Sequence, residues 1–237
     1  MILLEAIKKY QPKRKFYSAG SSEEMGDVDY SPQDKAHPPK PRSPYGVSKV
    51  ASRYLVKVYR ESYGLFAIHG ILYNHEGIRR GEEFVTRKIT KGVARISRAM
   101  DQGKEFDPIP LGNVNSKRDW SDSEDFVDGV WKMLNQETPK EYILSSNETH
   151  TIKEFIEVAF NAAGIEGQWV GEDLEEKYVC SLDKDPLVVI NEDFYRPCEV
   201  DILYGDSNPI REELGWKPEY SFKDLVARMV ENDIRSI

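Results

Sequence analysis

Leu65-Phe-Ala-Ile-His-Gly-Ile-Leu-Tyr73 is the stretch that decides the predicted fold. It is mostly apolar and does not alternate with polar residues, which is typical of a strand buried on both faces of a parallel sheet. A second strand is predicted over residues 15–19. Between the two strands, apolar residues at helical spacing predict a helix over 45–62. Strand, helix and strand in this order indicate an α/β unit with a parallel sheet.

Periodicity and capping signals predict the remaining elements. Five prolines exclude regular structure between residues 31 and 44. Thr151-Ile-Lys-Glu154 and Ser221-Phe-Lys-Asp224 are sequences that open helices, and the first of these helices should stop at Gly164. The other predicted elements are helices over 2–9, 84–100, 123–135 and 207–215, a short strand over 142–145, and short segments of unassigned type over 106–111.

The composition narrows the class of protein. The chain has 237 residues, a hydrophobic content of 39% and a net charge of −8, which fits a soluble globular protein. Its cations are scattered, so we expect neither a nucleic-acid nor a membrane partner. Two cysteines, Cys180 and Cys198, have no metal-ligand spacing and form no disulfide framework, so a cytoplasmic location is expected.

Tyr45-Gly-Val-Ser-Lys49 opens the helix that precedes the decisive strand. Residues four apart share one face of a helix, which brings the two side-chain tips close together. A free tyrosine loses its proton at about pH 10, and a neighbouring ammonium favours the phenolate. The pair therefore predicts an acid/base group for a substrate hydroxyl. The same spacing also fits an ordinary helix face, with Tyr45 partly buried and Lys49 in water.

Two polar loops follow the predicted strands, at the sheet edge where ligands bind in α/β folds. The first loop, Ser21-Ser22-Glu23-Glu24, could place a hydroxyl and a carboxylate in a ligand site. The alternative is a polar turn without a functional role. Asn74-His-Glu-Gly-Ile-Arg-Arg-Gly81 offers guanidinium groups suited to phosphate, or is a solvated charged loop. Three dispersed cations fit either phosphate binding or ordinary surface charge: Lys88, Arg118 and Arg196.

Taken together and in order, the motifs identify a family resemblance that covers essentially the whole sequence. The segments are Ala19-Gly-Ser-Ser-Glu, Pro41-Arg-Ser-Pro-Tyr-Gly-Val-Ser-Lys49, Asn74-His-Glu, Arg79-Arg-Gly, Phe84-Val-Thr-Arg-Lys-Ile89, Leu111-Gly-Asn, Lys117-Arg-Asp-Trp120, Tyr195-Arg-Pro and Glu199-Val-Asp201. They resemble the GDP-mannose 4,6-dehydratases of the extended short-chain dehydrogenase/reductase group. Other sugar-nucleotide dehydratases and epimerases share the Tyr/Lys pair, but we do not expect them to share the later motifs.

The resemblance implies a fold and a domain organisation. The fold class is α/β, with the C-terminal part of a Rossmann-type parallel sheet and a smaller α/β substrate-binding domain. Residues 1–73 would belong to the dinucleotide-binding domain. Residues 74–237 would form mainly the substrate domain, with segments near 112–150 returning to the first.

The resemblance also implies a reaction, in which GDP-mannose is converted to GDP-4-keto-6-deoxymannose, on the way to GDP-fucose. A hydride would pass from C4 to the nicotinamide and return to C6, with loss of water in between. Tyr45 would remove the C4 hydroxyl proton, Ser21 would bond the C4 oxygen, and Glu23 would remove the C5 proton and help expel the C6 hydroxyl as water. Lys49 would hold the ribose of the NADP cofactor and favour the Tyr45 phenolate. The implied binding residues are Tyr45, Lys49, His75 and Arg80 for NADP, and Asn74, Lys88, Arg118, Arg196 and Glu199 for GDP-mannose.

The sequence departs from the family pattern in one large feature, because it contains no Gly-x-x-Gly-x-x-Gly loop for the cofactor pyrophosphate. We therefore expect activity to require a missing N-terminal part, and a partner that is either a complementing chain or a further copy in a dimer or tetramer. Glu24 after Glu23, and Met25 where an aromatic is usual, are smaller departures. A shifted register would make Glu24 the reactive carboxylate. The alternatives are another nucleotide-sugar dehydratase or epimerase, and a non-catalytic nucleotide-sugar-binding fragment.

Overall fold

The computed structural model describes residues 1–194 and 202–237. In chain order, its first elements are α1 (Ile2–Tyr10), β1 (Phe16–Ala19), α2 (Pro44–Tyr63), β2 (Ala67–Leu72), β3 (Asn74–Glu76), α3 (Val85–Asp101), β4 (Ile109–Leu111), β5 (Lys117–Arg118), β6 (Trp120–Asp122) and α4 (Ser123–Leu134). The elements that follow are β7 (Tyr142–Leu144), β8 (His150–Thr151), α5 (Ile152–Ala162), β9 (Gly167–Val170), β10 (Lys177–Cys180), β11 (Pro186–Ile190), β12 (Ile202–Leu203), α6 (Asn208–Leu214) and α7 (Phe222–Arg235). Single 3-10 turns occur at Ser22–Glu24, Asp173–Glu175 and Glu192–Phe194. None of the helices in the described ranges is long and apolar enough to cross a membrane.

Most of the predicted helix boundaries are confirmed. The capping boxes at Thr151 and Ser221 are both present, and Gly64, just after α2, has a left-handed φ of 64°, which a glycine adopts at low cost. The N-cap of α4 is Asp122 and not Ser123, the first residue of the predicted helix. Asp122 takes that place, because its carboxylate reaches the Glu124 N–H at 2.9 Å.

The chain divides into two compact units, each built from separate pieces of sequence. The first unit contains Met1–His75, Arg118–Thr149 and the described part of Val200–Glu219. The second contains Glu76–Lys117, the described part of His150–Glu199, and Tyr220–Ile237.

The first unit is organised around a parallel sheet in the order β1-β2-β7. Phe16 lies opposite Ala67, and Gly70 lies opposite Tyr142. All six residues of β2 are buried, which confirms the prediction of a strand covered on both faces. Two apolar clusters complete the unit. One contains Leu4, Val56, Tyr59, Leu65 and Ala67, and the larger one includes Met25, Ile68, Ile71, Phe126, Met133, Ile143 and Trp216.

The second unit combines a mixed sheet with three helices. Its strand order is β4-β11-β10-β9, with β11 parallel to β4 and antiparallel to β10. The helices α3, α5 and α7 pack against one another. A buried ion pair joins two of them, because Arg87 Nη2 lies 2.8 Å from Asp233 Oδ1, and Thr90 Oγ1 donates to Asp233 Oδ2 at 2.7 Å.

Candidate active site

The Ser21–Glu24 segment is a 3-10 turn at the carboxyl end of β1. The Ser21 hydroxyl accepts a hydrogen bond from the Glu23 N–H at 3.2 Å, and Glu24 Oε1 accepts one from the Ser21 N–H at 2.9 Å. This reciprocal capping box holds the turn together. Ser21 and Glu23 are partly exposed, whereas Glu24 is completely buried.

The first turn of α2 presents Tyr45 and Lys49. Its N-cap, Ser43, accepts a hydrogen bond from the Gly46 N–H at 3.0 Å, and Pro44 follows in the first helical position, where proline is favoured. The Tyr45 side chain is 53% exposed. The Lys49 ammonium donates to the Ala19 carbonyl oxygen at 2.8 Å and lies 5.3 Å from the centre of the Tyr45 ring. The two side chains therefore share one face of α2, beside the end of β1.

The turn and the helix are in direct contact through Gly46. A Cβ atom at this position would lie 2.6 Å from the Glu23 carbonyl oxygen and 2.9 Å from Pro41 Cβ, so only a glycine permits this approach. The structure therefore brings the segment with Ser21 and Glu23 against the helix start with Tyr45 and Lys49. This geometry favours Glu23 over Glu24 as the reactive carboxylate, because Glu24 is enclosed by protein.

Three further predicted residues lie in the first unit. Asn74 Oδ1 is buried and has no hydrogen-bond partner among the described residues, which leaves an acceptor for a ligand. The His75 Nδ1–H donates to the Tyr73 carbonyl oxygen at 2.9 Å, and its ring packs 5.2 Å from that of Phe126. Arg118 is partly buried at the end of β5.

Arg80 and Lys88 lie in the second unit. The Arg80 guanidinium forms a 3.0 Å ion pair with Glu76 and stacks 3.4 Å from the centre of the Phe84 ring. The Lys88 ammonium lies 3.8 Å above the Phe194 ring, and partial burial lowers the pKa of Lys88. Arg196 and Glu199, like Cys198, lie outside the described residues.

Asp119 is a buried site residue to which the sequence analysis gave no role. Its Oδ1 accepts hydrogen bonds from the Ser146 N–H at 2.6 Å and from the Ser146 hydroxyl at 2.7 Å. Burial raises the pKa of Asp119 to about 7, although these hydrogen bonds act in the opposite direction. Because Asp119 follows Arg118 directly, it anchors the segment that carries this cation. The only feature of the sequence that could have drawn attention to Asp119 is its position in the Lys117-Arg-Asp-Trp120 motif.

Comparison with known proteins identifies the family. The sequence pattern of the family described as GDP-mannose 4,6 dehydratase matches residues 1–229. The chain belongs to this family. Among other members, the GDP-mannose 4,6 dehydratase of Dictyostelium discoideum is 42% identical over 237 residues, which cover 99% of this chain and 65% of the relative. The human GDP-mannose 4,6 dehydratase is 40% identical over 220 residues, which cover 93% of this chain and 58% of the relative. The chain thus spans about three-fifths of the length of these family members.

Solved structures share the fold at low sequence identity, which confirms the predicted α/β fold class. RMD from Pseudomonas aeruginosa, complexed with NADPH, has a TM-score of 0.80 and 22% identity, and the match covers 99% of this chain and 70% of that one. The dTDP-glucose 4,6-dehydratase of Bacillus anthracis, in complex with NAD, has a TM-score of 0.74 and 21% identity over 97% and 64% of the two chains.

Proposed function

We propose that this chain carries the catalytic groups of a GDP-mannose 4,6-dehydratase, a lyase that converts GDP-mannose to GDP-4-keto-6-deoxymannose and water. The observation that carries the proposal is the packing of the Ser21–Glu24 turn against the first turn of α2, with the Lys49 ammonium on the Ala19 carbonyl oxygen. The family match, and relatives named for this activity at about 40% identity, support the choice of reaction.

The residues present fit an NADP cofactor. A nicotinamide group, when bound, supplies reversible acceptance of a hydride from the substrate. Tyr45 and Lys49 offer a hydroxyl and an ammonium at the carboxyl end of β1, the edge where parallel sheets bind nucleotides. His75 would add a contact near the end of β2. In the second unit, Arg80 would bind the extra phosphate of NADP, because a guanidinium has five donors and the contact with Glu76 uses few of them. Folds of this kind are known with NADPH and with NAD.

The chain's own residues would carry the protons. Tyr45 would accept the proton from the C4 hydroxyl, and Lys49 would stabilise the charge on the phenolate. The Ser21 hydroxyl accepts from the Glu23 N–H, so its own hydrogen remains to bond the C4 oxygen. Glu23 would take the proton from C5, which a C4 ketone acidifies. It would then deliver that proton to the C6 oxygen, so that the C6–O bond breaks and water leaves. The hydride taken from C4 would return to C6, and Tyr45 would give its proton to C5, which completes the saturated 4-keto-6-deoxy product.

The substrate would be held by five residues that the family resemblance assigns. The buried, unpartnered Oδ1 of Asn74 suits a donor on the ligand, and the cations Lys88, Arg118 and Arg196 suit a diphosphate. Glu199 suits donors on guanine or ribose. Together they predict preference for GDP-mannose over UDP- and dTDP-sugars.

The exposed face of α2 carries Val47, Tyr54 and Val58, each about half exposed, and an apolar helix face of this kind supports a homo-oligomer. The 237 residues contain no glycine-rich phosphate loop, so we expect turnover to need such a loop from a further segment.

The test is an assay of the purified chain with GDP-mannose and NADP, with and without the N-terminal segment of a relative. We expect the 4-keto-6-deoxy product in the complemented sample, and little product from UDP-glucose or dTDP-glucose. Equal rates with all three sugars would favour a different nucleotide-sugar enzyme. A folded complex that binds GDP-mannose without turnover would favour a non-catalytic binding protein. Product from the chain alone would contradict the need for complementation.

A further inference from the structure

A buried carboxylate and a buried imidazole lie directly beneath the candidate catalytic turn. The side chains of Glu24 and His69 are both completely buried, and Glu24 Oε1 lies 2.8 Å from His69 Nε2. His69 belongs to β2, so this contact joins the turn to the neighbouring strand of the sheet. Its Nδ1 atom lies 3.3 Å from the Ser18 hydroxyl.

The same carboxylate oxygen holds the backbone of the turn. Glu24 Oε1 also accepts the hydrogen bond from the Ser21 N–H at 2.9 Å. One atom therefore connects His69 with the first residue of the turn, and Ser21 and Glu23 are fixed relative to β2. On the opposite side, the Glu23 carbonyl oxygen packs against Gly46 of α2. The turn is thus held between a strand and a helix.

Gly20 provides the space for this pair. A Cβ atom at Gly20 would lie 2.7 Å from Glu24 Oε1 and 2.6 Å from the Gly70 carbonyl oxygen, and it would also collide with His69 Nε2. The Gly20 N–H donates to the same Gly70 carbonyl oxygen at 2.7 Å. The end of β1 can therefore pack closely against Glu24 and His69 only because Gly20 has no side chain.

Stability alone is a poor explanation for the pair. Glu24 Oε2 is buried and has no hydrogen-bond partner in the described part of the chain, and such an atom costs free energy of folding. Well-packed apolar residues commonly replace a buried ionisable pair without loss of stability. The contacts made by Glu24 Oε1 point instead to geometry, because they fix the residues on either side of it.

We infer that Glu24 and His69 form a positioning pair that sets the Ser21 hydroxyl and the Glu23 carboxylate for the elimination step. The inference rests on the proposed function for its chemical consequence. Positioning errors of about 1 Å can cost on the order of 100-fold in rate. Glu24 itself touches neither substrate nor cofactor in this scheme, because its carboxylate is enclosed by the turn and β2.

The test compares variants that break the pair with variants that preserve its hydrogen bonds. Glu24→Ala and His69→Leu should each lower kcat by roughly 100-fold with KM within about twofold, because orientation and not binding is lost. Glu24→Gln keeps an acceptor for the Ser21 N–H, and His69→Gln keeps a donor for Glu24. Each of these variants should retain kcat within about fivefold. If Glu24→Ala does not fold, Glu24→Asp keeps the charge but shortens the reach, and a loss of about tenfold is expected.

Amide hydrogen exchange of Ser21 gives a readout that needs neither cofactor nor turnover. Its N–H loses the Glu24 acceptor in Glu24→Ala, so its exchange should accelerate by about tenfold or more. Glu141→Gln is the matched control. Glu141 also forms a largely buried ion pair in the same unit, with Arg53 at 2.5 Å, but among the described residues it makes no hydrogen bond to the Ser21–Glu24 turn. This control should leave both the exchange of Ser21 and kcat unchanged.

Two results would overturn the inference. The first is a loss of kcat in Glu24→Gln as severe as the loss in Glu23→Gln, which would make Glu24 the reactive carboxylate. The second is unchanged Ser21 exchange, or wild-type kcat, in folded variants that lack the pair. Absence of turnover in the complemented wild-type protein, with accelerated Ser21 exchange in Glu24→Ala, would reject the proposed function and leave only the anchoring of the turn.

Discussion

The Lys49 ammonium donates a hydrogen bond to the carbonyl oxygen of Ala19, at 2.8 Å. This bond joins α2 to the last residue of β1, immediately before the turn that carries Ser21 and Glu23. Lys49 is therefore tied to the backbone of β1 beside Tyr45, although the bond itself is exposed to solvent.

Replacement of Lys49 by Met should lower kcat by roughly 100-fold or more, because the Tyr45 phenolate loses its neighbouring cation. Lys49→Arg keeps the charge and should retain more activity than Lys49→Met. The link is solvent-exposed, so the thermal unfolding midpoint should change little in either variant. Initial rates of product formation and thermal melts provide the measurement. A Lys49→Met variant with wild-type kcat would remove Lys49 from the catalytic group.

Removal of the Asp233 carboxylate should destabilise the second unit. Asp233→Ala leaves the buried Arg87 guanidinium without its ion-pair partner, and breaking a buried pair costs roughly 3–5 kcal/mol. On the same helix, Glu231→Ala breaks an exposed ion pair with Arg235 and should cost less than about 1 kcal/mol. Urea unfolding of both variants gives the comparison, and equal losses would contradict the account of this pair.

The stability of the protein should depend on the protonation of Asp119. Burial raises the pKa of Asp119 from its ordinary 3.8 to about 7 in the folded state. Because the folded value exceeds the unfolded one, the contribution of Asp119 to the free energy of unfolding is fully present below about pH 4 and is lost as the pH rises through about 7. Asp119→Asn does not titrate, so its stability should vary less over this window. If the urea unfolding midpoints of the wild type and of Asp119→Asn change equally with pH over this window, the prediction is contradicted.

The exposed face of α2 should be buried in an oligomer. Val58→Arg introduces a charge into that face, which carries Val47, Tyr54 and Val58, and desolvating an unpaired charge in an interface is costly. We expect light scattering to show an assembly of two or more copies for the wild type, and a smaller one for Val58→Arg. Val127 is also exposed, to a larger extent than Val58, but lies on α4. Val127→Arg is therefore the control and should not change the mass of the assembly.

The sequence predicted the elements whose signals are local. The apolar run over 65–73, the Tyr45/Lys49 spacing and the Thr151 capping box each depend on neighbours within a few residues, and β2, α2 and α5 appear where expected. The contact between Glu24 and His69 joins residues 45 positions apart. No local sequence pattern around either residue predicts which residue it contacts. The one available signal was a histidine inside an otherwise apolar strand.

Long-range packing could not be predicted in the same way. Trp216 donates a hydrogen bond to the Asp125 carbonyl oxygen at 2.8 Å, and its ring lies over the position where Gly129 lacks a side chain. The strands β9, β10 and β11 were also not predicted, because segments of four or five residues give little period-2 pattern. Such features follow from tertiary contacts that one sequence does not specify.

The most direct test of the central claim follows the hydrogen at C4 of the substrate. GDP-mannose carrying deuterium at C4 is incubated with the complemented protein and NADP, and the product is analysed by mass spectrometry and NMR. We expect deuterium at C6 of the 4-keto-6-deoxy product, because the hydride removed from C4 returns to C6. We expect no product with Tyr45→Phe, and no elimination with Glu23→Gln, although hydride removal from C4 remains detectable by absorbance. Loss of the C4 deuterium to solvent, or product formation by Tyr45→Phe at the wild-type rate, would contradict the proposed mechanism.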